Sequence, residues 1–302
     1  MQPEDVVGVC VPASSANLGP GFDALAVALD LHLVAWTQDR GEPRVVPEGE
    51  GAGELPTGDG NLVWRAFVAY CDWAGAEVPD VGLRVHNEIP LERGLGSSAA
   101  AAVAGVALGR AVTRGGGTDR DLVGLAAGLE GHTDNAAAAV LGGLVVVADG
   151  TPRRLDPTDT LRPVVCVPTV RQSTAEARAL LPADVPLADA AANGARAALV
   201  VAGLSGAAAW DPAVMTDVLH EPARLGAMTG AGGLVRDLRA AGIGACLSGA
   251  GPTVLAVVRT THSDEVDRVR RLAGDGWEVR PLRWDRAGAT ACPPTILPLR
   301  RE

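Results

Sequence analysis

Apolar positions along this chain change period from segment to segment, and the period predicts the element. Residues 6–11 form a short apolar run stopped by Pro12 and are predicted as a strand. Between residues 61 and 73, Leu62, Ala66, Ala69 and Tyr70 recur at helical spacing. Residues 83–87 are predicted as a strand that feeds a glycine-rich turn, and residues 97–112 as an alanine-rich helix. Thr118 and Asp121 make a capping-box-like start for a helix over 119–129. Gly142 and Gly143 precede an apolar strand over 144–148. Residues 149–162 are rich in Pro, Asp, Thr and Arg, which places a domain boundary there and divides the chain into 1–158 and 159–302. Beyond it come a strand over 164–167, a helix capped by Ser173 with Glu176, and a long helical stretch over 187–209. Strands over 243–248 and 253–258 flank a second glycine-rich turn, followed by a helix over 264–272 and a last strand over 277–282. No solenoid repeat is present, and strands mixed with helices in both halves mean α+β or α/β.

Composition narrows the function. A chain of 302 residues has room for two packed domains. Hydrophobic residues make up 47% but aromatics only 3%, so the core must rest on Val, Leu, Ala and Ile, with Ala and Gly allowing close backbone packing. The net charge of −10 argues against a nucleic-acid surface and against an anionic membrane. A small-molecule ligand is the plain reading, and an anionic one needs local positive potential built against the overall charge. All 26 basic residues are Arg, which excludes a Walker A loop and a Schiff-base lysine. The five cysteines are odd in number and form no C-x-x-C pair, so ordinary thiols in a reducing cytoplasm are expected. Residues 1–5 are acidic, unlike a signal peptide, and the apolar runs are short or interrupted by Gly and charge, unlike a membrane span.

The most informative stretch is Pro90-Leu91-Glu92-Arg93-Gly94-Leu95-Gly96-Ser97-Ser98-Ala99-Ala100. Gly94 and Gly96 permit backbone angles that other residues resist and let a ligand approach the main chain. Ser97 and Ser98 open a helix whose unpaired N–H groups and dipole make an anion site without lysine. A bare Gly-x-Gly before a helix also suits an ordinary structural turn. The full string, however, resembles the P-x-x-x-G-L-G-S-S-A-A signature of the GHMP kinases. Two other stretches match in the same order. Val11-Pro12-Ala13-Ser14-Ser15-Ala16-Asn17-Leu18-Gly19-Pro20-Gly21-Phe22-Asp23 reads as a strand ending in a polar loop, and resembles the family's first motif in its homoserine kinase form. Gly244-Ala245-Cys246-Leu247-Ser248-Gly249-Ala250-Gly251-Pro252-Thr253-Val254 reads as a tight hairpin, and resembles the third motif, which lies beside the nucleotide phosphates.

Segments between the motifs resemble the homoserine kinase branch. Glu130-Gly131-His132-Thr133-Asp134-Asn135 is similar to its E-G-H-P-D-N segment, whereas the residues alone read as a solvated acidic face, Glu130 and Asp134 standing four apart on a helix end. Thr174 to Pro182 and His220-Glu221-Pro222-Ala223-Arg224 are similar to two further segments. The resemblance implies an ATP-dependent kinase of L-homoserine in threonine biosynthesis. Ser98 and Glu130 would hold Mg2+, His132 and Asn135 would face the substrate, and Asn17 and Asp23 would bind it, Asp23 through its ammonium. Arg178 and Arg224 would take its carboxylate, and Asn61 would belong to the adenine pocket. The turn from Pro90 to Ala100, with Gly249 and Gly251, would surround the phosphates. Thr133, Ala136 to Ala138 and Ala223 depart from the pattern and bear on pocket shape. Where mevalonate kinases place a catalytic Asp assisted by Lys, this chain has Asn135. The implied fold is α+β with two domains, an N-terminal nucleotide-binding domain followed by a ferredoxin-like C-terminal domain, in a family that often forms homodimers. The competing readings are another GHMP kinase, whose substrates lack an α-ammonium beside a carboxylate, and a catalytically silent binding protein on the same fold.

Overall fold

A computed structural model describes residues 6–292; the acidic residues 1–5 and residues 293–302 lie outside the described residues. The chain opens with β1 (Gly8–Asn17), β2 (Gly21–Asp39) and β3 (Val45–Gly49), then α1 (Leu62–Ala74), β4 (Val81–Asn87), α2 (Ser97–Thr113), α3 (Asp119–Glu130) and α4 (Thr133–Leu141). A hairpin of β5 (Leu144–Ala148) and β6 (Thr151–Leu155) leads to β7 (Leu161–Pro168), α5 (Thr174–Ala179), α6 (Leu187–Leu204), α7 (Glu221–Ala227) and α8 (Thr229–Ala240). The chain then runs through β8 (Gly244–Leu247), β9 (Val254–Arg259), α9 (Glu265–Ala273), β10 (Trp277–Pro281) and β11 (Thr290–Ala291).

Two sheets result. The first has the order β11-β1-β2-β4-β3, and β5 pairs with the other half of β2 and with β6. The second has the order β10-β7-β9-β8, antiparallel throughout. Helices fall between β7 and β8 and between β9 and β10, the β-α-β-β-α-β succession of a ferredoxin-like unit, as the resemblance implied. Successive valines of β7 explain its unbroken apolar run. Val165 and Val167 enter the core shared with the first sheet, and Val164 and Cys166 pack on Leu234, Val235, Leu238 and Val269. A strand buried on both faces has no polar side to show.

Two helices start where their caps predict: the Thr118–Asp121 capping box is formed, and Ser173 Oγ accepts from Glu176 N at 3.2 Å. The structure adds a cap at Asn61, whose Oδ1 accepts from Val63 N at 2.9 Å. Ala and Gly do bring backbones together: a methyl at Gly105 of α2 would overlap the Val63 carbonyl of α1.

Four expectations need correction. The first strand does not stop at Pro12, which pairs with His32; the register shifts directly after it and pairing resumes between Ala13 and Leu29. Ser14 and Ser15, expected in a loop, are buried strand residues. The long helix ends at Leu204, short of 209, where Gly206 takes a φ of 77° and Trp210 packs on Gly203. The strand over 277–282 is not the last, since β11 returns to pair with β1. Residues 24–39 carry no period that predicts an element, yet they belong to β2, the hub of the first sheet. Among the described residues α6 is the one helix long and apolar enough to cross a membrane by length and composition. It carries Asp189, Arg196 and Asn193, and Asn193 donates to the Pro20 carbonyl at 2.8 Å and accepts from Val218 N at 3.1 Å.

Candidate active site

The three glycine-bearing stretches meet at the N-terminus of α2. Gly94 and Gly96 hold φ values of 74° and 68°. A methyl at Gly94 would overlap the Ser248 carbonyl, and one at Gly96 the Ser14 hydroxyl, so only glycine fits either place. The first i→i−4 bond of α2 is Ala100 N to Gly96 O at 2.8 Å, which leaves the N–H groups of Ser97, Ser98 and Ala99 ahead of the helical ladder. Ser248 Oγ donates to the Gly94 carbonyl at 2.6 Å, and Gly249 N donates to the Ala16 carbonyl at 3.0 Å. Asn17 Nδ2 donates to the Gly249 carbonyl at 2.8 Å, while its Oδ1 accepts from Asp23 N at 3.1 Å. Asn17 thus spends its side chain on shaping the wall. Asn17, Leu18 and Asp23 keep positive φ angles of 69°, 48° and 54°, which persist only because their surroundings over-determine them.

Glu130 ends α3, Gly131 turns the chain at φ 88°, and α4 begins at Thr133. Glu130 and Asp134 therefore lie on different helices, not on one solvated face, and Asp134 is only 4% exposed. Burial, with Asp23 nearby, pushes the Asp134 carboxyl above the usual range. Glu130 accepts a hydrogen bond from Ser98 Oγ and faces His132 Nδ1 at 3.4 Å, a contact that raises the imidazole's pKa. Asn135 Oδ1 accepts from Ser14 Oγ at 2.9 Å.

Two guanidinium groups close the opposite side. Arg178, in the last turn of α5, donates from one nitrogen to both Asp23 oxygens at 2.9 and 2.8 Å. Arg224, in α7, is 2% exposed; its Nε donates to the Ala177 carbonyl at 3.2 Å and a terminal nitrogen to His220 Nδ1 at 3.2 Å. His220 in turn donates from Nε2 to the Gly19 carbonyl at 2.9 Å. Burial lowers the His220 pKa and so favours the neutral ring, whose Nδ1 accepts. Burial, then Arg178, lowers that of Arg224. Phe22 lies beneath both guanidinium groups, 5.6 Å from Arg178 and 5.5 Å from Arg224, and stacks on His220 at 5.2 Å.

Asn17, Phe22, Asp23, Glu130, His132, Asp134, Asn135, Arg178 and Arg224 line a cavity of about 280 Å³ that also takes in Pro90, Glu92, Arg93, Gly94 to Ala99, and Gly249, with His220 buried behind it. A second cavity of about 400 Å³ adjoins it across Glu92, Ser97 and Ser98; Leu33, Leu62, Val63, Val85 and Leu91 make it apolar. Asn61 borders the second cavity with its side chain engaged in capping α1 and in a 2.7 Å bond to the Pro56 carbonyl. Ala100 is buried behind the turn, and Gly251 supports Gly94 from the third stretch. Arg93 spends its guanidinium on the carbonyls of Pro168 and Thr169, both at 2.9 Å, and so braces the end of β7. Sequence reasoning gave no role to Phe22, His220, Asp134 or Ser14. The one available signal was His220 standing a helical turn before Arg224.

Among the described residues no three His, Cys, Asp or Glu side chains cluster as a metal site. The Ser98 hydroxyl and the Glu130 carboxylate, in contact beside the helix N-terminus, offer two hard oxygens. That set fits magnesium, which takes few protein oxygens and fills its octahedron with phosphate and water.

Known proteins similar to this chain include kinases of one family. Residues 61–143 match the GHMP kinases N terminal domain. The homoserine kinase of Streptomyces avermitilis is 43% identical over 296 residues, covering 95% of this chain and 96% of that protein. That of Mycolicibacterium smegmatis is 46% identical over 266 residues, with 82% and 83% covered. The crystal structure of homoserine kinase from Cytophaga hutchinsonii superposes with a TM-score of 0.81 at 26% identity, covering 95% of this chain and 98% of that one. The Methanococcus jannaschii mevalonate kinase shares the fold, with a TM-score of 0.66 at 14% identity over 92% and 98% of the two chains. The chain therefore belongs to the GHMP kinase family, in its homoserine kinase branch.

Proposed function

We propose that the protein transfers the γ-phosphoryl group of Mg-ATP to the hydroxyl of L-homoserine, giving O-phospho-L-homoserine for threonine biosynthesis in the cytoplasm. One observation carries the reading: Asp23, Arg178 and Arg224 share a cavity with the N-terminus of α2. A carboxylate and two guanidinium groups complement an α-amino acid, and the helix terminus complements phosphate. The curated relatives named homoserine kinase support the same substrate.

Phosphoryl transfer is mainly positioning and charge neutralisation. The N–H groups of Ser97, Ser98 and Ala99 face the phosphates, and the apolar second cavity takes the nucleoside. Ser98 and Glu130 would hold magnesium, which neutralises charge on the phosphate oxygens when bound. Arg224, fixed by His220 and the Ala177 carbonyl, orients the substrate carboxylate together with Arg178, and Asp23 receives the ammonium. Asn17 keeps Asp23 in place through its main chain, and His132 and Asn135 border the hydroxyl. Asn135 cannot act as a base, and the chain has no lysine to assist one. A loose transition state requires little early proton removal, so the hydroxyl proton passes to phosphate or water. The domain division at 158/159 is part of the proposal: it falls after the β5–β6 hairpin and just before β7 enters the second sheet.

The test is ADP release by the purified protein with magnesium and ATP, offering L-homoserine, L-serine, L-threonine, mevalonate and galactose separately. Turnover on homoserine alone is expected. Turnover on another alcohol keeps the kinase and refutes the substrate; ATP binding without any turnover favours a silent binding protein.

A further inference from the structure

Asp23 and Arg178 are the two groups to which the proposed reading gives the substrate's ammonium and part of its carboxylate. In the structure they hold each other. One Arg178 nitrogen straddles both Asp23 oxygens, and the side chains are 45% and 48% exposed at the cavity mouth. They come from distant parts of the chain, Asp23 from β2 and Arg178 from α5. Arg224, by contrast, is buried and pinned by Ala177 and His220. One guanidinium is thus fixed for an incoming anion, and the other is engaged with the group that would receive the cation.

We propose that the Asp23–Arg178 ion pair is a specificity device: it stands in for the substrate, and only a ligand bearing an ammonium beside a carboxylate opens it without leaving a charge unpaired. The inference rests on the zwitterion reading of the site. Opening the pair frees one negative and one positive group. A zwitterion re-pairs both. An amino alcohol without a carboxylate re-pairs Asp23 and leaves Arg178 beside Arg224, the two stacked on the same Phe22 ring. A hydroxy acid without an ammonium re-pairs Arg178 and leaves Asp23 beside the buried Asp134. Such half-ligands lose their missing contact and also bear the cost of the broken pair. Because the pair is half-exposed, that cost is roughly two- to fivefold in affinity, small enough for the true substrate to overcome.

The test uses Arg178→Gln and Asp23→Asn in the full chain, each of which releases the other group. Affinities for L-homoserine, 3-aminopropanol (homoserine without its carboxylate) and γ-hydroxybutyrate (homoserine without its ammonium) are measured at low salt by calorimetry. Both variants bind homoserine more weakly than wild type. The exchange further requires gains: Arg178→Gln binds 3-aminopropanol, and Asp23→Asn binds γ-hydroxybutyrate, each roughly two- to fivefold more tightly than wild type. Those gains shrink as salt is raised. Two independent subsites predict no gain in either variant, and that outcome overturns the proposal. Homoserine turnover by the wild type is read first: its absence refutes the substrate reading and the exchange together, whereas turnover without either gain refutes the exchange alone. Melting curves confirm that both variants fold.

Discussion

Replacing Gly94 with alanine asks whether the phosphate turn is held in place by the third glycine-rich stretch. Gly94 sits at φ 74°, and an added methyl would overlap the Ser248 carbonyl and lie 2.9 Å from Gly251 O and 3.0 Å from Gly251 N. These are backbone atoms, tied down by the Ser248 and Gly249 hydrogen bonds, so no side chain can rotate away. The left-handed conformation costs alanine about 1–2 kcal/mol, and forcing the methyl into filled space costs about 1–3 kcal/mol more. The expected destabilisation is therefore about 2–5 kcal/mol, within the usual domain stability of about 5–15 kcal/mol. The variant folds, melts lower, and carries a displaced turn. A displacement of about 1 Å in a catalytic arrangement can cost on the order of a hundredfold in rate, so kcat/KM for ATP falls by about that factor. Gly124→Ala is the control: it lies within α3 with nothing within 4 Å of the new methyl, and it gains about 0.5–1 kcal/mol from helix propensity. Urea melts and steady-state kinetics on both variants decide the matter. Wild-type stability and ATP kinetics in Gly94→Ala, or equal effects from the two substitutions, would refute the reasoning.

Three further outcomes are expected. Glu130→Gln weakens the magnesium requirement's saturation by at least the roughly 10–100-fold that loss of an outer-shell partner brings, seen as a higher magnesium concentration for half-maximal rate. In the same variant the His132 pKa, raised above 6.5 by Glu130, falls. A raised folded pKa adds stability that is fully present below pH 6.5 and lost as pH rises through the folded value, so the variant loses an acid-side gain; imidazole NMR and melts across pH measure both. Arg224→Met removes charge-assisted bonds worth about 1.5–3 kcal/mol each and raises KM for homoserine on the order of a hundredfold; an equal rise in KM for ATP would contradict its placement. Thr118→Ala removes the Oγ1 that accepts from Asp121 N at 3.3 Å, half of the capping box, and costs about 1 kcal/mol in a urea melt with unchanged kinetics.

Much of this protein follows from short-range rules. The caps at Thr118 and Ser173 and the helix over residues 97–112 depend on neighbours within a turn or two, and local sequence is enough to place them. The phosphate turn is legible for the same reason: Gly94, Gly96, Ser97 and Ser98 are adjacent in the chain, and the helix terminus that makes them an anion site is itself local. Long β2 escaped because Ala and Leu, good helix formers, dominate a segment whose strand state is imposed by pairing with β1, β4 and β5. The two-residue β11 is too short to carry a period and exists only because β1 offers it an edge. Residue types along the chain also determined the absence of lysine, and with it the need for guanidinium and backbone N–H groups as anion partners. Only the tertiary structure decided how those groups are used. It brought Arg178 onto Asp23 across 155 positions and set His220 against Gly19 across 201. It also tied Arg93 to the end of β7, and separated Glu130 from Asp134 by a turn at Gly131. A charge in sequence has no direction; its partner is fixed when packing chooses which distant groups it meets and how much water remains between them.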